Sequence, residues 1–319
     1  MKKALITGIA GQDGSYLSEF LLEKGYQVSG LMRKKDGVEN IRHLKKKIKL
    51  IDGDLRDRES LERAILRIKP DELYNLAAVS FIPASWQNST LVCDINALGP
   101  SRLLEIIRDQ SSKTKFFQAS SAQMFGRPKE SPQNEKTKIS PLNPYAAAKA
   151  FAHFLVQSFR EKYGLFACSA IFYNHESERR PVDFVTRKIT QGAAKIKLDL
   201  EKKLELGNLE AERDWGYAKD YVRAAWLMLQ QKKPEDFVVA TGKLHSVTDI
   251  CKIAFTTLGL NWKNYVIVKR ELLRKEEPAK LVGNSSRARK VLGWKPEISF
   301  EEMIRKMTLY DLEILKKQT

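Results

Sequence analysis

The chain has 319 residues, of which 43% are hydrophobic and 30% charged, a balance typical of globular proteins rather than disordered or collagen-like ones. Its 56 lysines and arginines exceed its 39 aspartates and glutamates, which gives a formal net charge of +17. No apolar run approaches the roughly 18 residues that span a bilayer, and Met1-Lys2-Lys3 precedes an apolar stretch too short for a secretory signal. We therefore expect a cytoplasmic protein that binds no membrane.

The cysteines and histidines suggest neither cross-links nor a metal. Cys93, Cys168 and Cys251 are scattered along the chain and form no C-x-x-C pair, so disulfides and a cysteine-based metal site are not expected. The histidines show no metal-ligand spacing. The sequence predicts no bound metal ion.

The first 180 residues alternate strand-like apolar runs with segments of helical period. Strands are predicted at 4–9, 27–32, 48–51, 73–78, 116–120 and 167–173, and the helices between them include a long one ending near Arg108 and another from Tyr145 to Tyr163. Strands separated by helical segments of ten or more residues need crossover connections. This pattern predicts an α/β fold with a doubly wound parallel sheet.

The rhythm changes after about residue 174, where polar and proline-containing stretches separate shorter elements. Helices are predicted near 218–231, 247–258 and 300–316, and a strand at 237–240. We expect two regions in close contact. Residues 1–174 would form the cofactor domain, and residues 175–319 would form a smaller α/β substrate region with some elements crossing back.

Three glycines follow the first predicted strand and open the first helix. Gly8, Gly11 and Gly14 enclose Gln12 and Asp13, and a turn without side chains lets backbone N–H groups approach a pyrophosphate at a helix N-terminus. Their position after a strand and before a helix indicates a dinucleotide site.

The end of the second strand bears on the choice of dinucleotide. An acidic residue there holds a ribose 2′-hydroxyl, but this chain has Met32-Arg33-Lys34-Lys35. Cations suit a 2′-phosphate. The sequence favours NADP over NAD, with Arg33 as the principal contact.

Tyr145 and Lys149 form a Y-x-x-x-K pair within a predicted helix. Their spacing of four places both on one helix face, where an ammonium lowers the pKa of a phenol that exchanges a proton with a substrate hydroxyl. Ser120 and Ser121, at the end of the preceding strand, can hydrogen-bond the same oxygen. These groups together indicate hydride transfer at a secondary alcohol.

This arrangement resembles that of the extended short-chain dehydrogenases/reductases, which have a Rossmann-type sheet. Five segments make nearly the whole chain resemble the GDP-mannose 4,6-dehydratase family: residues 7–17 around the glycines, Asn174-His175-Glu176-Ser177, residues 184–190, residues 207–209 with 213–222, and residues 237–242. In that family, NADP takes a hydride from C4 of GDP-mannose, a glutamate removes the C5 proton, water leaves from C6, and the hydride returns to C6.

The resemblance implies a role for each matching residue. The catalytic group would comprise Ser121, Tyr145, Lys149 and position 123. The cofactor would be held by Gly8, Gly11, Gln12, Asp13, Gly14, Arg33, Asp54, Leu55, Leu76, Ala77, Ala78, Tyr145, Lys149, His175 and Arg180. The GDP-sugar would be held by Ser80, Asn174, Val185, Lys188, Arg213, Arg274 and Glu277.

The sequence departs from the family at its proton-transfer residue. Gln123 occupies the position of the glutamate, and an amide cannot accept the C5 proton. The pair Ser85-Trp86 and residues 273–277 are also more similar to GDP-4-keto-6-deoxymannose reductases. Three interpretations compete: a dehydratase whose glutamate has been substituted, a relative that acts only at C4 as a reductase or 4-epimerase, or a dehydratase with its C5 base elsewhere. The local chemistry favours action at C4 alone, but the resemblance over the whole chain favours the dehydratase group, and we expect a GDP-mannose 4,6-dehydratase.

A non-enzymatic NADP-binding protein is a more remote alternative, because Ser121, Tyr145 and Lys149 are all retained. The basic excess lies mainly in residues 1–50 and 251–300, which contain Arg33 and Arg274. We therefore expect it to serve phosphorylated ligands, with no nucleic-acid partner. The resemblance also implies a homodimer or homotetramer.

Overall fold

The computed structural model describes residues 1–273 and 280–318. Its strands are β1 (Lys3–Thr7), β2 (Gln27–Met32), β3 (Lys49–Asp52), β4 (Glu72–Asn75), β5 (Lys115–Ser121), β6 (Ala167–Phe172), β7 (Asn174–Glu176), β8 (Leu204–Leu206), β9 (Glu212–Arg213), β10 (Trp215–Tyr217), β11 (Phe237–Val239), β12 (His245–Ser246) and β13 (Val266–Val268).

Its helices are α1 (Gln12–Glu23), α2 (Arg58–Ile68), α3 (Ile82–Gln87), α4 (Ser89–Cys93), α5 (Gly99–Gln110), α6 (Pro144–Tyr163), α7 (Val185–Lys197), α8 (Ala218–Leu229), α9 (Val247–Thr257), α10 (Ser286–Leu292) and α11 (Phe300–Lys316). None of the helices in the described ranges combines the length and apolar character needed to cross a bilayer.

Seven parallel strands form the central sheet in the order β3-β2-β1-β4-β5-β6-β11. Ile6 of β1 lies opposite Gly30 of β2 on one side and Tyr74 of β4 on the other. The strand order reverses between β1 and β4, and ligands of open parallel sheets bind at such a switch point. The predicted doubly wound α/β fold is confirmed.

Helices cover both faces of this sheet because successive side chains of its strands point to opposite faces. Ala4 and Ile6 of β1 belong to a core that includes Leu17 of α1. Leu5, between them, belongs to a second core that includes Leu61 of α2. Burial on both faces explains why the strands appear in the sequence as continuous apolar runs rather than alternating ones.

A third core lies outside the sheet. Ile189 of α7, Ile250 of α9 and Ile304 of α11 pack together with Leu204 of β8. The chain nevertheless returns to the sheet from this part, because β11 pairs in parallel with β6. The predicted strand at 237–240 is thus an edge strand of the main sheet.

The long helix predicted to end near Arg108 is interrupted. The structure has α3, α4, a π-helical turn (Asp94–Leu98) and then α5. Asn88 starts α4 by accepting a hydrogen bond from the Leu91 N–H at 3.0 Å. Pro100 in the first turn of α5 has no N–H to bond the preceding turn, which accounts for the wider turn before it.

Candidate active site

A cleft of about 1270 Å³ runs along the carboxyl ends of β1, β4, β5 and β6 and reaches α7 and β9. Every predicted site residue in the described ranges lines it: Gly8, Gly11, Gln12, Asp13, Gly14, Arg33, Asp54, Leu55, Leu76, Ala77, Ala78, Ser80, Ser121, Gln123, Tyr145, Lys149, Asn174, His175, Arg180, Val185, Lys188 and Arg213. Arg274 and Glu277 lie outside the described residues.

The glycine turn is closely packed against the β4 edge. Gly8 has a φ of +69°, and a Cβ on it would lie 2.8 Å from the Ala77 backbone. A Cβ on Gly14 would lie 2.3 Å from the Gly8 carbonyl oxygen. Only glycine fits these positions, and the cradle they leave at the start of α1 suits the pyrophosphate of a dinucleotide.

Basic side chains surround a smaller recess of about 380 Å³ beside the ends of β2 and β3. Five basic and three acidic side chains line it: Arg33, Lys34, Lys35, Arg56 and Arg63, together with Asp52, Asp54 and Asp57. Arg33 is held by Asp36, whose Oδ1 accepts from its Nη2 at 2.6 Å, and this hydrogen bond raises the pKa of the guanidinium. Asp36 thus holds the Arg33 guanidinium in place beside the recess.

The catalytic side chains come from the end of β5 and the first turns of α6. Asn143 starts α6 by accepting a hydrogen bond from the Ala146 N–H at 2.8 Å, which places Tyr145 in the first turn and Lys149 one turn later. The Lys149 ammonium donates to the Ala119 carbonyl at 2.8 Å and lies 5.9 Å from the centre of the Tyr145 ring. Helix α6 thus holds both groups against the strand that ends in Ser121.

Burial controls the protonation of both groups. It raises the pKa of the Tyr145 phenol, although the Ser121 hydroxyl and the charge of Arg180 act in the opposite direction. It lowers the pKa of Lys149 to about 8, with the charge of Asp13 opposing this shift. A phenol that contacts Ser121 beside a desolvated ammonium can exchange a proton with a substrate hydroxyl.

Replacing Lys149 by methionine should stabilise the folded chain at neutral pH. Because its pKa falls from 10.5 to about 8, keeping this lysine charged in the fold costs up to about 3 kcal/mol. The cost applies fully below pH 8, declines as the folded state loses the proton, and vanishes above pH 10.5. Urea unfolding below pH 8 and above pH 10.5 tests this prediction. Lys162→Met, on the exposed face of α6, is the control. Equal gains in the free energy of unfolding at both pH values would contradict the prediction.

Gln123 sits in the short turn that follows β5. Its backbone N–H donates to the Ser121 Oγ at 3.2 Å, and Gln123 lines the cleft. The carboxylates that line the cleft within the described residues are Asp13, Asp36, Asp54, Glu176, Asp183 and Glu271. Asp13 and Glu176 already have basic partners, so neither is a free base.

The segment after β6 brings charged and aromatic groups to the opposite wall. Glu176 accepts from the Thr186 hydroxyl and lies 3.1 Å from the Nε of Arg180. The Arg180 guanidinium stacks 3.5 Å above the Phe184 ring, and Phe184 meets Phe81 edge to face at 5.7 Å. Phe81 and Phe184, which line the cleft from distant parts of the chain, thereby contact each other.

Asp214 anchors the wall that carries Arg213. Its carboxylate accepts from the Thr241 N–H at 2.9 Å, the Gly242 N–H at 2.9 Å and the Gly283 N–H at 3.2 Å. Burial raises the pKa of this carboxyl despite those donors. The network ties β9 to the loops at 241–242 and 283, which fixes the backbone beside Arg213.

Among the further lining residues to which the sequence assigned no role are Phe81, Glu176 and Phe184. Glu176 belongs to the segment Asn174-His175-Glu176-Ser177, so the resemblance of that segment to the family could have indicated that it lies in the site. Nothing in the local sequence links Phe81 to Phe184, because their contact depends on how the two walls face each other. Within the described residues, no group of three or more His, Cys, Asp or Glu side chains could hold a metal ion.

Several solved structures share the fold of this chain over nearly its whole length. UDP-glucose 4-epimerase from Thermotoga maritima with UDP-glucose has a TM-score of 0.88 at 25% identity, covering 98% of this chain and 99% of that one. dTDP-glucose 4,6-dehydratase from Bacillus anthracis with NAD has a TM-score of 0.87 at 20% identity over 99% and 98%. RMD from Pseudomonas aeruginosa with NADPH has 0.85 at 21% over 98% and 100%.

The sequence comparisons are more specific than the fold. A family model described as GDP-mannose 4,6 dehydratase matches residues 5–307. GDP-mannose 4,6 dehydratase 2 of Arabidopsis thaliana is 49% identical over 99% of this chain and 88% of that protein. GDP-mannose 4,6-dehydratase of Vibrio cholerae is 43% identical over 98% and 94%. The chain therefore belongs to the GDP-mannose 4,6-dehydratase family.

Proposed function

We propose that this chain converts GDP-mannose to GDP-4-keto-6-deoxymannose with a bound nicotinamide cofactor. The observation that carries the proposal is that Ser121, Tyr145 and Lys149 line one cleft with the glycine cradle, in a chain whose relatives are named for this reaction. Those relatives favour dehydration over the reductase and epimerase alternatives. The same side chains disfavour a non-enzymatic protein, because a binding function needs no acid/base pair.

Each of these side chains has its own role in the proposed reaction at C4. The bound cofactor supplies a hydride acceptor. Tyr145 takes the proton of the C4 hydroxyl as the alcohol becomes a ketone, and Ser121 donates a hydrogen bond to the same oxygen. The Ser121 hydroxyl and the charge of Arg180 favour the phenolate form of Tyr145 against the effect of burial, and the Lys149 ammonium lies one helical turn away. Lys149 is buried, which strengthens its electrostatic interactions.

Elimination requires a base at C5 as well as hydride transfer at C4. Loss of water from C5 and C6 transfers the C5 proton to a base and releases the C6 hydroxyl with a proton from an acid. The Gln123 amide can donate a hydrogen bond to the leaving oxygen but cannot take the C5 proton. We infer that elimination is the slow step in this chain and that the reaction at C4 precedes it.

NADP is the proposed form of the cofactor. The support is the recess at the ends of β2 and β3, where Arg33 is held in place by Asp36 among other basic side chains. A planar guanidinium forms paired hydrogen bonds to a phosphate. An uncharged 2′-hydroxyl gains far less from such a site.

Substituting Arg33 by alanine should weaken NADPH binding about tenfold or more while changing NADH binding little. The reason is that hydrogen bonds to charged groups contribute about 1.5–3 kcal/mol, and only NADPH has the 2′-phosphate. Fluorescence titration of each cofactor in the absence of sugar nucleotide measures both affinities. Arg42→Ala, on the exposed surface after β2, is the control; equal losses for the two cofactors would overturn the assignment.

The two parts of the chain are proposed to bind different ligands. Residues 1–174 bind the cofactor, and residues 175–319 mainly bind the GDP-sugar, with β11 returning to the sheet. Val185 and Lys188 at the start of α7 are placed beside the guanine, Arg213 at the diphosphate, and Ser80 and Asn174 at the sugar. A homodimer or homotetramer in the cytoplasm is the expected state.

Incubation of the purified protein with GDP-mannose, with and without added NADPH, tests the proposed function. Loss of one water from the sugar nucleotide without added cofactor, detected by mass spectrometry, supports it. An unchanged mass with a shifted retention time would show a 4-epimerase instead. Reaction only when a 4-keto-6-deoxy sugar and NADPH are supplied would show a reductase.

A further inference from the structure

Each ring nitrogen of His175 faces a hydrogen-bond acceptor. Its Nδ1 lies 2.8 Å from the Tyr173 carbonyl oxygen, and its Nε2 lies 2.9 Å from the Asp13 Oδ2. Neither oxygen has a proton to donate when Asp13 is ionised. Both contacts are satisfied only if both ring nitrogens carry hydrogen, which makes the ring an imidazolium paired with a carboxylate.

This ion pair joins the glycine turn to β7. Asp13 is the second residue of α1, directly after the turn, and His175 is the central residue of β7. Gln12 strengthens the junction, because its amide donates to the His175 carbonyl at 3.1 Å and accepts from the Ser177 hydroxyl at 2.8 Å. Three side-chain hydrogen bonds therefore hold the start of α1, two of them to His175 of β7 and one to Ser177 directly after it.

The pair is enclosed on its other sides. The Tyr221 ring of α8 stacks on the His175 ring at 4.7 Å and 21°, and the two paired side chains are 13% and 21% exposed. Arg180 opposes protonation of His175, and the charge of Asp13 acts on both Lys149 and Tyr145 of α6. Asp13 is thus the common anion among the titratable groups of this wall.

The direction of each pKa shift agrees with the hydrogen bonds. Burial lowers the pKa of His175, but Asp13 offsets burial, so that the pKa is raised. Burial raises the pKa of Asp13, and His175 reverses this effect, so that the pKa is lowered. Each partner therefore stabilises the charged form of the other.

We propose that Asp13 is a positioning residue, which keeps His175 doubly protonated and thereby holds the glycine turn in the shape that receives the dinucleotide. Asp13 acts through His175 rather than as a ligand of the cofactor. The inference rests on the proposed function only for the use of a nicotinamide cofactor.

The protonation of His175 is directly measurable in the full chain without any ligand. Long-range ¹H–¹⁵N spectra distinguish an imidazolium from each neutral tautomer, and His175→Gln identifies the signal among the four histidines. In Asp13→Asn, a nearly isosteric change, we expect the titration midpoint of His175 to fall by about one pH unit or more, because an opposite charge at this distance is lost. An unchanged midpoint would overturn the proposal.

Cofactor affinity then tests whether the pair holds the turn. We expect Asp13→Asn to weaken NADPH binding about tenfold at neutral pH, and this loss to shrink as the pH is lowered through the titration midpoint of His175 measured in the variant. In a double-mutant cycle with His175→Gln, the two losses should not add, because both substitutions break one pair. Additive losses would mean that Asp13 contacts the cofactor independently, which contradicts the proposal.

His43→Gln is the matched control. Its imidazole pairs with Glu19 of α1 at 2.7 Å on the exposed surface, outside the cleft, and we expect NADPH affinity to stay within twofold of the parent. Since no sugar nucleotide is present, failure of the dehydration reaction leaves this test intact. If the parent chain binds neither NADPH nor NADH, the proposed function fails, and the His175 titration alone decides the role of Asp13.

Discussion

Replacing Gln123 by glutamate should increase the rate of water loss from GDP-mannose by roughly 10²- to 10⁴-fold, the usual contribution of a general acid/base. The side chain keeps its size and its place in the turn after β5, where the backbone N–H of residue 123 bonds the Ser121 hydroxyl. Only its ability to accept and return a proton changes. The steps at C4 should be affected much less, because Tyr145 and Lys149 are untouched.

Single-turnover experiments separate the two steps. With an excess of the parent protein over GDP-mannose, reduced cofactor should accumulate before product appears, because elimination is slow after oxidation at C4. In Gln123→Glu the reduced cofactor should stay low while 4-keto-6-deoxy product forms. Gln27→Glu, at the exposed amino end of β2 and opposite the cleft, makes the same chemical change as a control.

One result would contradict this account of Gln123, and it has two explanations. No gain in elimination by Gln123→Glu would show either that another group removes the C5 proton or that this chain acts only at C4. These cases are distinguished by the parent protein. Fast water loss in the parent indicates another base, whereas turnover without any water loss indicates C4 chemistry alone.

Replacing Tyr145 by phenylalanine should slow oxidation at C4 by a similar factor of roughly 10²–10⁴. The substitution removes only the hydroxyl that contacts Ser121 and leaves the ring in the first turn of α6. Reduction of the bound cofactor by GDP-mannose, followed in single turnover, reports this step before elimination. The loss should fall on the rate constant far more than on cofactor affinity, because Lys149 and the glycine cradle remain.

Tyr163→Phe provides the control for Tyr145→Phe. Tyr163 is at the other end of the same helix and is 46% exposed, so the loss of its hydroxyl should leave the rate unchanged. A Tyr145→Phe protein that oxidises GDP-mannose at the parent rate would exclude Tyr145 as the base at C4. A matching loss in both variants would indicate a general effect on α6.

The order of strands and helices in the first half of the chain could be predicted because local signals agree there. Gly8, Gly11 and Gly14 mark the turn between β1 and α1, and the helix containing Tyr145 and Lys149 ends at Tyr163 as predicted. The helix ending near Arg108 was less regular, because Asn88 and Pro100 introduce breaks that a hydrophobic pattern hides. Such breaks depend on single caps and missing N–H groups rather than on periodicity.

The amino-acid sequence by itself determined which chemistry is available. The glycine turn, the serine at the end of β5 and the Tyr–Lys spacing are local patterns, because each depends on residues adjacent along one strand, turn or helix. The absence of a carboxylate at position 123 was equally visible. These features sufficed to predict the α/β class and a site for hydride transfer at a secondary alcohol.

Only the tertiary structure decided which groups meet across the cleft. The Asp13–His175 pair, the Phe81–Phe184 contact and the return of β11 to the sheet join residues far apart in the chain. Their formation depends on how crossover connections bring the strand ends together, and no local pattern encodes that distance. Burial, which shifts the pKa of Lys149 to about 8, likewise arises from the packing of α6 against the sheet.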